Sequence, residues 1–191
     1  MNPSVTSKAS ILKACRQIAM REGISALSMR SVACECGIAL GTLYNYYADK
    51  DALIFAAVED IWSEILCLDG AAPAAQSFEA HTRKLFEQIS RGVARYPGFL
   101  GAHSIVFAGT GKNNGRHAME RCFRQIRSGL LASLKSDPAV DPSVFTPSYT
   151  QEAFVDFVLE NLLLLLVKGK TDCSFFIRTL GRILQTAPRC E

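Results

Sequence analysis

Apolar residues return every three or four positions along almost all of this 191-residue chain, and nowhere do they alternate as a half-buried strand requires. Ile11, Leu12, Cys15, Ile18 and Ala19 make one stripe. Leu53, Ile54, Ala57, Val58, Ile61, Trp62 and Ile65 make another, behind Asp49 as its cap. Leu85, Phe86, Ile89 and Val93 follow, and then Met119 to Leu134. Helical pieces are also expected at Leu100 to Phe107, Tyr149 to Val167 and Thr171 to Gln185. The breaks fall at DGAAPAAQS (69–77), at YPG (96–98), at GTGKNNG (109–115) and in a proline-rich connection over 136–147. The pattern predicts an all-α fold of about nine helices. It divides into an N-terminal three-helix domain over residues 1–50 and a C-terminal helical domain over 51–191.

Charge is unevenly spread. Six bases against three acids give +3 over residues 1–50, and six acids with no base give −6 over 51–80. Ten bases against two acids give +8 over 81–135, and five against seven give −2 over 136–191. The seven cysteines have no regular spacing, which argues against a secreted disulfide framework. The N-terminus lacks the apolar run of a signal peptide. The greasiest run, Leu162 to Val167, is interrupted upstream by Asp156 and Glu160, well short of the roughly 20 apolar residues that span a bilayer. The expectation is a cytoplasmic protein with reduced thiols and no membrane partner.

Residues 28–47, SMRSVACECGIALGTLYNYY, have the shape of a helix-turn-helix. Ser28 can cap the first helix, with Val32 and Ala33 inward. Gly37 permits a left-handed turn, and Ile38 plugs the angle between the helices. Leu43 faces inward on a helix expected from Leu40 to about Tyr47, so Thr42, Tyr44, Asn45 and Tyr46 project elsewhere. Three phenols within four positions suit a surface rather than a core, because each hydroxyl needs a partner. Asn bonds base edges and hydroxyls reach phosphate, so the stretch reads as a helix for the major groove.

The run from Ile11 to Leu53 resembles the N-terminal DNA-binding domain of the TetR/AcrR family of transcriptional regulators. The resemblance is carried by Gly23, Ser28-Met29-Arg30, Val32-Ala33, Gly37-Ile38, Gly41-Thr42-Leu43-Tyr44, Tyr47, and Lys50 with Leu53. It implies phosphate contacts from Ser28, Tyr44 and Lys50, and base contacts from Arg30 and Asn45. Leu40, Gly41 and Thr42 would open the recognition helix at the groove floor, Leu40 by apolar contact such as a thymine methyl. Tyr46 would contact phosphate or base. The partner would be a double-stranded DNA operator.

The last two helices are apolar nearly all round: Phe154, Phe157, Val158, Leu162 and Leu165, then Phe175, Phe176, Leu180, Ile183 and Leu184. One monomer buries only part of such a circumference, so a homodimer through these helices is expected, as the resemblance also implies. Two-fold symmetry then calls for a palindromic operator with half-sites about 34–36 Å apart or a multiple of that. The middle helices are expected to enclose a small-molecule effector, lined by Phe86, Ile89, Phe99, His103, Phe107, Phe123, Ile126 and Phe157. The reading is a ligand-responsive repressor. The alternatives are a thiol redox sensor using the same DNA-binding domain and a helical protein-interaction module.

Other chemistries find little footing. GTGKNNG approaches a phosphate loop, but Val106 stands at the first glycine and Asn113 at the Ser/Thr position. Cys34 and Cys36 lie two apart on a helix and point to different sides, and the three histidines lack ligand spacing. No metal site, cofactor or catalytic constellation is expected, and the chain does not read as an enzyme.

Overall fold

The computed structural model describes residues 6–67, 77–101 and 113–185, with the side chains of 67 and 113–122 excepted. The described residues are helical throughout, with a lone bridge between Thr146 and Tyr149 in place of any strand. Eight α-helices are α1 (Lys8–Glu22), α2 (Met29–Glu35), α3 (Leu40–Tyr44), α4 (Lys50–Cys67), α5 (Phe78–Ala94), α6 (Asn113–Ser136), α7 (Gln151–Val167) and α8 (Ser174–Leu184). Residues 99–101 are helical as well, where a ninth piece is expected. Single 3₁₀ turns occupy Ile24–Ala26 and Pro142–Val144.

The caps explain the boundaries. Ser7 and Ser28 open α1 and α2 with reciprocal capping boxes, to Ser10 and Ser31 respectively. Asp49 Oδ1 accepts from Ala52 N at 2.8 Å at the start of α4, and Thr150 Oγ1 accepts from Ala153 N at 3.1 Å at the start of α7. Three expected boundaries shift. α3 ends at Tyr44, short of Tyr47, because the next residues form turns. α6 already begins at Asn113, inside the stretch expected as a loop over 109–115. α8 begins at Ser174, after Asp172 Oδ1 has taken the Ser174 amide at 3.1 Å.

The chain forms two compact units: Met1–Cys67 with Arg91–Cys122, and Leu68–Ser90 with Phe123–Glu191. The first unit thus holds α4 and the end of α5 together with the three N-terminal helices. Its core includes Ile11, Cys15, Ile18, Leu27, Val32, Leu43, Leu53, Ile61 and Trp62. Phe99 lies 5.3 Å from Trp62, centroid to centroid, and 6.0 Å from Tyr96. The buried Tyr96 donates its hydroxyl to Glu64 Oε2 at 3.0 Å. Glu64 also accepts from Arg95 at 2.8 Å and Arg16 at 3.0 Å, and Arg16 pairs with Asp60. Gly23, at φ 85°, lets the chain pass so close to Pro97 that a Cβ would sit 2.9 Å from its carbonyl oxygen.

The second unit is built on α5 up to Ser90, α6 from Phe123, α7 and α8. Phe78 packs on Phe154 at 5.9 Å, and its amide donates to Asp137 Oδ2 at 2.7 Å. Phe154, Val155, Val158, Leu159, Leu162 and Leu166 of α7 are buried, as are Ile177, Leu180 and Leu184 of α8. Both helices keep apolar side chains outside as well: Phe157 is 47% exposed, Leu164 48%, Val167 49% and Phe175 80%.

Candidate nucleic-acid interface

The elements expected to contact DNA are set by three features around α3. Leu43 is fully buried and anchors the helix to the core of the first unit. Gly37, at φ 65°, turns the chain, and the Ile38 amide returns to Ala33 O at 3.0 Å. Tyr47 is buried, and that burial pushes its phenol up to about 12, so it belongs to the core side. With these fixed, Gly41, Tyr44 and Asn45 face outward and Leu40, Thr42 and Tyr46 sit half-buried at the edges. Arg30 on α2 and Lys50 at the first position of α4 are exposed.

The sequence-predicted residues are thus drawn together on one helix-turn-helix and its flanks, but their free valences differ. Ser28 Oγ accepts from Ser31 N at 3.0 Å and lies 2.9 Å from Ser31 Oγ, so its hydroxyl is largely consumed as a cap. Tyr46 donates its hydroxyl to the main-chain carbonyl of Thr6. The spacing of the sequence carried no signal for that bond between residues 40 positions apart. Gly41 is informative in another way. A Cβ there would meet no atom within 4 Å, so the fold itself has room for a side chain. A glycine without internal need suits a place where an outside body comes close to the backbone.

The residues expected to line an effector site are less unified. Phe86, Ile89, Ile126 and Phe157 lie in the second unit and Phe99 in the first, while His103 and Phe107 lie outside the described residues. Phe86 and Ile89 are fully buried, and Phe157 is half-exposed and near Phe176, 6.3 Å between centroids. Phe123 also falls in the second unit. Among the thiols, Cys15 is buried and pushed up to about 12, chiefly by burial, which disfavours the reactive thiolate; Cys34 is exposed. Among the described residues, no group of three His, Cys, Asp or Glu side chains could hold a metal ion, and no helix is long and apolar enough to cross a membrane.

Residues 11–57 match the family model of bacterial regulatory proteins of the tetR family. The whole fold matches solved regulators. BioQ with its double-stranded DNA operator superposes with a TM-score of 0.68 at 17% identity, covering 95% of this chain and 99% of that one. FadR of Bacillus subtilis in complex with stearoyl-CoA gives 0.63 at 11% identity, covering 94% and 98%. The multidrug binding protein EbrR complexed with proflavin gives 0.62 at 17% identity, covering 92% and 98%. No curated protein matches the chain. Residues 11–57 are thus similar to the N-terminal module of the tetR family, and the fold of the chain is that of these solved regulators.

Proposed function

We propose that the chain is a ligand-responsive repressor that binds a palindromic operator as a homodimer in the cytoplasm. The observation that carries the reading is the outer side of α3. Tyr44 and Asn45 are exposed, Gly41 leaves its backbone open to close approach, and Leu43 holds the helix from behind. Arg30 and Lys50 add positive charge on either flank of that helix. Solved relatives of the same fold are bound to an operator in one case and to small molecules in others, which supports both halves of the reading.

The dimer would form through α7 and α8, whose exposed Phe157, Leu164, Val167 and Phe175 are costly to leave in water. An effector held by the C-terminal helices would favour a conformer whose reading heads no longer match the half-sites, and so release DNA. The test is selection of duplexes from a random library by the full chain, followed by titration of the enriched duplex. The proposal expects a two-fold symmetric consensus bound tightly by wild type and weakly by a Tyr44→Ala, Lys50→Ala variant that still folds. Enrichment of no sequence, or equal binding by that variant, would refute it.

A further inference from the structure

We infer that Tyr46 serves as a positioning residue, which holds the segment leading into α1 beside the recognition helix, and not as a phosphate contact. The inference rests on the DNA-binding reading above. A phenol has one proton. Here Tyr46 donates that proton to the carbonyl oxygen of Thr6. Phosphodiester oxygens only accept, so a hydroxyl already spent in this way has nothing to give them. Its half-buried position fits a strut better than a probe. Tyr44, two residues earlier and 49% exposed, is left as the phenol that can reach phosphate.

The bond lands where it has the most leverage. The helical ladder of α1 begins with the Ile11 amide donating to Ser7 O at 3.0 Å, one residue past Thr6. From Ser7 onward the chain is fixed by the capping box: the Ser10 amide donates to Ser7 Oγ at 3.1 Å and the Ser7 amide to Ser10 Oγ at 2.9 Å. Tyr46 extends that order one residue outward and ties it to the turn that follows α3. Lys8 is exposed two residues beyond the tie. Lys8 is the first residue of α1 and owes its backbone order to that capping box, so the tie acts on Thr6.

Two measurements on the full chain test this. In the free protein, amide relaxation should give an order parameter of about 0.85 at Thr6, falling below about 0.6 in Tyr46→Phe while Lys8 in α1 stays ordered. On the duplex enriched by wild type, Tyr46→Phe should weaken binding by less than about 2-fold, whereas Tyr44→Phe should weaken it by roughly 2- to 10-fold. Unchanged order at Thr6, or a loss of binding in Tyr46→Phe as large as that in Tyr44→Phe, would overturn the inference. If wild type enriches no duplex, the DNA-binding reading fails instead, and the relaxation measurement, which uses no DNA, still decides whether Tyr46 holds the arm.

Discussion

The outward sides of α3 and α7 present opposite chemistries. α3 has one buried residue, Leu43, and with its C-cap Asn45 shows the surface a glycine, a phenol and an amide. α7 buries six apolar residues and still exposes Phe157, Leu164 and Val167. A polar surface made of rigid, short-reach donors is matched to a wet, charged partner whose edges must be read. An apolar surface left over after the core is full is matched to another such surface. On the proposed function, recognition and assembly would each have a helix of their own. Neither helix then compromises its own core to serve the other.

The sharpest way to break this separation is to place a charge on the apolar face. Phe175→Asp should abolish association in sedimentation, and with it operator binding, by 30-fold or more, since a central apolar anchor is worth roughly 2 kcal/mol or above. If binding survives in a monomer, α8 is not the assembly face. Next is the anchor behind the reading side. Leu43→Ala should cost about 2–5 kcal/mol in denaturant unfolding, the range for truncating a fully buried leucine. A smaller effect comes from Gly41→Ala. Open space around its Cβ and a helical setting predict a gain of about 0.5–1 kcal/mol in stability together with weaker operator binding. A stabilised variant with unchanged affinity would show that nothing approaches that backbone.

A further effect is on pH. Cys15 is raised to about 12 by burial, and Tyr96 to about 12 by burial and by its bond to Glu64. The folded chain therefore keeps both protons to higher pH than the unfolded chain does. Their contribution is whole below pH 9 and falls away as pH climbs from 9 towards 12. Melting temperatures should decline over that window, and Cys15→Ala should flatten the early part of the decline. A flat profile in wild type would contradict the burial of the thiol.

Much of this was legible in the sequence, for local reasons. Ser28, Gly37, Leu43 and Asp49 act through neighbours within a few positions, so caps, turns and periodicity expose them. The helix stripes read well because burial repeats with the turn. What stayed hidden depends on long-range geometry. Nothing in the spacing shows that Tyr46 meets Thr6, that Gly23 passes against Pro97, or that Glu64 gathers Arg16, Arg95 and Tyr96. The short α3 escaped for a different reason: its phenol-rich tail has helical pattern but turns instead. The expected effector lining mixes residues of both units because aromatic content alone does not tell one core from another.

The account rests most heavily on a pair of identical reading heads set against one duplex. Hydroxyl-radical footprinting of the full chain on its enriched duplex tests this directly. Two equivalent protected patches, centred about 34–36 Å apart or at a multiple of that along one side of the helix, are the predicted result. A single unpaired patch, or protection without symmetry, would contradict it.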